Sequence, residues 1–152
     1  MNEFDEEKTL ARLYLSLKGP KQKRENWIDI AQDCKRLTDH YGSAKIAAER
    51  LGVSYEIIRS LLKLLTLPDE VKILIKDNKI LFDVGQRIAR IKDRERQIET
   101  AKAVVGLSDH EAREIIQYAK KHPRVSIGDF KKRVVEGRDK VEKVHLAIIP
   151  LR

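Results

Sequence analysis

Apolar residues recur every third or fourth position through most of this chain, the spacing that lines one face of a helix. Leu10, Leu13, Tyr14 and Leu17 form such a stripe within Phe4 to Leu17, and Gly19-Pro20 stops it. Trp27, Ile30, Ala31, Cys34 and Leu37 predict a second helix from about Asn26 to Tyr41-Gly42, with Trp27 in the core. Pro68 opens a later helix with Asp69 and Glu70 in its first turn and Val71, Leu74 and Ile75 on its buried side. A turn follows over Lys76-Asp77-Asn78-Lys79, then a short helix from Phe82 to Ile91 and another from Arg94 to Val105 that closes at Gly106. Ser108 and Glu111 form a capping box for a helix reaching about Lys121 before Pro123, and Ser126 starts one that Gly137 should end. Only at the C-terminus does the period change: Val144, Leu146 and Ile148 alternate with His145 and Ala147, which predicts a strand ended by Pro150. The expected fold is an all-α multi-helical bundle with one short C-terminal strand.

The stretch Ser43 to Leu65 carries the sharpest local signal. Two short helices hinge on Leu51-Gly52-Val53-Ser54, the layout of a helix-turn-helix. Gly52 suits a tight turn in the left-handed region, and Ser54 offers its hydroxyl to the free amides of the next helix. Ala47, Leu51, Val53, Ile58 and Leu61 fall at inward offsets, and Ala48 is small where the helices approach. With Ile57, Ile58, Leu61 and Leu62 assigned to the core, the outward residues of the second helix are Ser54, Tyr55, Glu56, Arg59, Ser60 and Lys63. Arg59 has the fork for a guanine edge or a phosphate, Glu56 accepts from a cytosine amino group, and Lys63 suits a phosphate. Ser43 and Lys45 open the preceding helix, whose amides suit the DNA backbone. An ordinary helical hairpin with a solvated charged face is the plainer alternative.

Charge agrees with a polyanionic partner. Lysine and arginine exceed aspartate and glutamate by 32 − 24 = 8 over 152 residues. Lys18, Lys21, Lys23, Arg24, Lys35 and Arg36 lie before the helix-turn-helix, and Lys120, Lys121, Arg124, Lys131, Lys132, Arg133, Arg138, Lys140 and Lys143 gather near the C-terminus. Either cluster suits an extended DNA footprint or a solvated helical face. The lone Cys34 has no intramolecular partner, and His40, His110, His122 and His145 show no zinc-ligand spacing with it. His110 sits within a helix cap beside acids and reads as structural. No apolar run approaches the roughly 20 residues of a membrane span, and the acidic start from Asn2 to Lys8 is unlike a secretory signal. A reducing cytoplasmic setting without membrane association is expected. Asp29 and Asp33 share a helix face and read as solvated rather than metal-binding, so an enzyme, a metal and a cofactor are not expected.

From Ser43 to about Ile116 the chain resembles the ParB family, including KorB and related partition and regulatory proteins. The resemblance rests on KIAAERLGVSYEIIRSLLKLLTLPDEVKILIKDNKI, then RIARIKDRERQIETAKAVV and LSDHEAREI. The Leu67-Pro68-Asp69-Glu70-Val71 connection is not part of a generic helix-turn-helix. The resemblance implies duplex DNA binding, as a transcriptional regulator or partition-type centromere binder. Asp83-Val84-Gly85-Gln86 replaces the family's usual Gly-His-Ala-Arg motif. Met1 to Gly42 is too short and too helical for the CTP-binding domain of many ParB proteins, so sliding-clamp activity is not carried over.

Three segments follow: 1–42 as an N-terminal helical extension, 43–122 as the DNA-binding domain, and 123–152 as a basic C-terminal helix and strand. One helix-turn-helix covers only a few base pairs, so a homodimer is expected, through the strand Val144 to Ile148 or through the stripe Leu10, Leu13, Leu17. The competing function is a protein-interaction adaptor that keeps the fold without specific DNA recognition.

Overall fold

In the computed structural model, which describes residues 4–20 and 25–148, the chain is all-α. The helices are α1 (Glu6–Lys18), α2 (Trp27–Tyr41), α3 (Ala44–Leu51), α4 (Tyr55–Leu64), α5 (Asp69–Lys76), α6 (Phe82–Ile88), α7 (Arg94–Val104), α8 (Asp109–Lys121) and α9 (Ile127–Ile148). Short polar residues start many of them by accepting a backbone N–H that the helix leaves unpaired: Asp5, Asn26, Ser43, Ser54, Asp93 and Ser108 all do so. At Ser108 the full capping box forms, with the Glu111 carboxylate accepting from the Ser108 N–H in return.

Two apolar clusters lie side by side. The first is enclosed by α1 to α4 and holds Leu13, Ile30, Cys34, Leu37, Ala47, Leu51, Ile58 and Leu61. The second lies among α5 to α9 and holds Val71, Ile75, Ile88, Ala101, Ile115 and Ile127. Helix α2 packs against α1, α3, α4 and α5, while Ile28 from α2 and Leu64 from α4 enter the second cluster. Thus α2, which precedes the boundary expected at residue 42, is part of the scaffold under α3 and α4. Burial pushes the Cys34 thiol up to about 12, helped by Asp33, so it stays a protonated core residue.

Three expectations are corrected. The C-terminal strand does not form: α9 runs through Gly137 and through Val144 to Ile148. A lone strand leaves its backbone amides unpaired, whereas a helix pairs them internally, and Glu136, Arg138, Lys140, Glu142, Lys143, Leu146 and Ala147 are strong helix formers. The expected stop at Pro150 lies outside the described residues, as do Lys21, Lys23 and Arg24.

Asp33 is not solvated. Its side chain is only 4% exposed and accepts from Arg12 Nε and Nη2 at 3.2 and 3.1 Å and from Arg36 Nη1 at 2.7 Å. That hydrogen bonding raises the Arg12 pKa above its ordinary value. Ile57, expected in the core, is exposed instead. On α1, Leu13 is fully buried and Leu10 and Leu17 pack against the same core, so that stripe is occupied within the chain. No described helix is long and apolar enough to cross a membrane.

Candidate nucleic-acid interface

The turn between α3 and α4 follows from three residues. Gly52 stands at φ 69° and ψ 32°, a left-handed conformation that costs other L-residues about 1–2 kcal/mol. Its N–H and that of Val53 reach back to the carbonyls of Glu49 and Ala48 at 3.2 and 3.1 Å, which closes α3. Ser54 then receives the Ile57 N–H at 3.3 Å and opens α4, as Ser43 receives that of Ile46 at 3.4 Å and opens α3. Each capping serine accepts through its oxygen, so its hydroxyl proton remains available for an anionic oxygen outside the protein. Ala47, Ala48, Leu51, Ile58 and Leu61 are buried where the helices cross, while Val53 is half-buried.

The opposite face of α4 is open. Ser54, Tyr55, Glu56, Arg59 and Lys63 are exposed, as is Lys45 on α3, while Ser43 and Ser60 are half-buried. The fold gathers four of these. Lys45 Nζ and Arg59 Cζ each lie 5.7 Å from the centroid of the Tyr55 ring, one from α3 and one from α4. Such exposed cation–π contacts contribute about 0.5–1 kcal/mol, enough to bias the orientation of the ring. Arg59 Nη1 also meets both Glu56 carboxylate oxygens at 3.4 Å, with the side chains 60% and 75% exposed. A pair this exposed contributes at most about 0.5 kcal/mol, so a phosphate or guanine edge would displace it at little cost. Lys63 stands in the last turn of α4, outside this group.

Ile57, assigned to the core by its spacing, is 42% exposed. Ile58, Leu61 and Leu64 define the centre of the buried stripe, which turns the neighbouring Ile57 out to its edge. It and Ile46, 41% exposed on α3, each present apolar surface of a kind suited to a thymine methyl. The signal lay in the Ile57-Ile58 doublet, since adjacent helical residues do not point the same way.

The sequence pattern of the ParB HTH domain matches residues 23–123. The chain belongs to the ParB helix-turn-helix family. No curated protein matches it. The matched ParB span runs beyond α3 and α4 to take in α2 and everything through α8, in keeping with the packing of α2 beneath the helix-turn-helix. Within that span the stretch that departs from the ParB motif is used for packing. Val84 and Gly85 are buried, and a Cβ added at Gly85 would lie 2.9 Å from Ile75 Cδ1 and 3.2 Å from Leu64 Cδ2. A side chain at position 85 would therefore have to displace the tips of Ile75 and Leu64 where α6 packs on α4 and α5.

Proposed function

We propose that this ParB-family chain recognises duplex DNA sequence-specifically with α4 in the major groove, acting as a homodimeric transcriptional regulator or partition-type centromere binder. It binds and does not catalyse. The observation that carries the reading is the membership of the ParB helix-turn-helix family together with an α4 face left free for a partner, where Lys45, Tyr55 and Arg59 form one cationic and aromatic group. In this arrangement Ser43, Lys45 and Ser54 hold the backbone, and Arg59, Glu56, Ser60 and Tyr55 face base edges. Ile57 adds an apolar contact that the polar residues lack.

Selection of bound fragments from random duplex DNA tests this reading. Enrichment of a two-fold symmetric site is expected, with affinity falling on a log-log salt plot by about 0.9 per phosphate contacted. Failure to enrich any sequence, with duplex affinity flat in salt, would leave the adaptor reading in its place. Mapping of occupied sites in cells separates the two roles: isolated sites at promoters support a regulator, and a cluster of repeated sites supports a centromere binder.

A further inference from the structure

A second cationic surface begins where α4 ends. Lys63, Thr66, Arg90, Lys92 and Arg94 line one cleft between the α4–α5 connection and the turn from α6 to α7. Its lining contains no carboxylate, and among the described residues none of its four cations is in an ion pair. That sets it apart from the α4 face, where Glu56 partly neutralises Arg59. All four side chains are exposed.

The cleft is built rather than incidental. Arg94 Nη1 donates to the Thr66 carbonyl at 3.3 Å and ties the start of α7 to the turn after α4. Beneath the surface, buried Gln97 donates through Nε2 to the Ile91 carbonyl at 2.7 Å and fixes the segment carrying Arg90 and Lys92. The Gln97 Oε1 atom, also buried, has no hydrogen-bond partner among the described residues. Concentrating four unpaired cations raises their mutual repulsion, which a bound anion relieves.

We propose that this cleft grips phosphodiester groups of the same duplex that α4 reads, on the flank beyond the C-terminal end of α4. The inference rests on the DNA reading above and extends it. Lys63 is the shared element: it belongs to α4 by sequence and to the cleft by position, so the backbone leaving the major-groove contact meets Arg90 and Lys92 next. These contacts carry affinity and salt dependence but no base information.

The test compares the full chain with an Arg90→Gln/Lys92→Gln variant on the selected site and on random duplex, across a salt series. Both side chains are exposed and support no described hydrogen bond of their own, so a matching thermal melt is the check on folding. Loss of two phosphate contacts makes the log-log slope shallower by about 1.8, so that between 50 and 200 mM salt the variant loses about ten-fold less affinity than the parent. The ratio of specific to random binding should stay the same. A Lys79→Gln/Lys102→Gln variant of equal net charge, with both side chains exposed and outside either basic cluster, should keep the parental slope. An unchanged slope in the cleft variant, with the parent still binding its site steeply in salt, overturns the cleft and leaves the DNA reading standing. An equal loss in both variants overturns it as well, because net charge then suffices. A cleft that binds tripolyphosphate in an Arg90- and Lys92-dependent way while the DNA slope stays parental serves a free phosphate compound, and the backbone assignment falls. Absence of duplex binding by the parent removes both.

Discussion

The rings of Trp27 and Phe82 meet with centroids 4.5 Å apart and planes inclined at 35°. Each is the first residue of its helix, α2 and α6, and each packs against both apolar clusters. The contact is therefore a seam between the half that carries α3 and α4 and the half that carries α7 to α9. Trp27→Ala should cost about 3 kcal/mol, the low end for a large aromatic because Trp27 is only half-buried. A double-mutant cycle with Phe82→Leu should return a coupling of about 0.5–1.5 kcal/mol from urea unfolding followed by circular dichroism. Additive losses would mean that the two rings merely sit near one another.

Two glycines should fail for different reasons. Gly52 needs its left-handed backbone, and the nearest atom to a Cβ there is the far end of the long Lys18 side chain, Nζ at 3.0 Å. Gly52→Ala should cost about 1–2 kcal/mol and Gly52→Asn less, since asparagine tolerates that region. At Gly85 the obstacle is packed side chain, so Gly85→Ala should cost about 1–3 kcal/mol and Gly85→Asn more. Thermal melts of the four variants check the ranking; asparagine rescuing position 85 would show that the backbone, not the contact with Ile75, is limiting there.

The parts of this fold that could be read along the chain are those governed by a few adjacent residues. Gly52, Ser54 and the Ser108–Glu111 box act within one helical turn, and the turn between α3 and α4 and the start of α8 fall where those residues place them. Asp33 was opaque because its burial depends on Arg12, 21 positions away on another helix. Val144 to Ile148 misled because five alternating residues are too few to outweigh the helix-forming run that precedes them and the lack of a strand to pair with. At the candidate interface, residue types and the outward face of α4 were legible from spacing. The meeting of Lys45 with Tyr55, and of Lys63 with Arg90 and Lys92, depends on how helices cross, which no local pattern encodes.

Reading and positioning should separate between Arg59 and Lys45. Their side chains share the Tyr55 ring, each cation 5.7 Å from its centroid, so loss of either removes one contact to that ring. If Arg59 meets a base, Arg59→Ala costs about 1–3 kcal/mol at the selected site and relaxes choice at one base pair, whereas Lys45→Ala weakens selected and random duplexes alike. Fluorescence anisotropy on both DNAs is the measurement. Equal losses on the two DNAs for both variants would make Arg59 a phosphate contact and pass the reading to Tyr55, Ile57 or Ser60.

If two chains pair, as the proposed function expects, α9 is the segment to test. Val144 to Ile148 lies in a helix rather than a strand, and the α1 stripe packs against the chain's own core, which leaves a pairing contact to the C-terminal segment as a helix. Its first part is docked: Ile127 is buried, and Phe130 stacks on Tyr118 with centroids 4.0 Å apart. Truncation after Gly137 should spare that docking and leave the melting temperature within a few degrees of the parent. If the removed part joins two chains, light scattering should report a monomer. Affinity for a two-fold site should fall by on the order of 100-fold while a single half-site is bound as before, because the second half-site no longer benefits from linkage to the first. A truncated chain that stays dimeric would move the interface off α9, with exposed Tyr14 and Leu15 on α1 the next surface to alter.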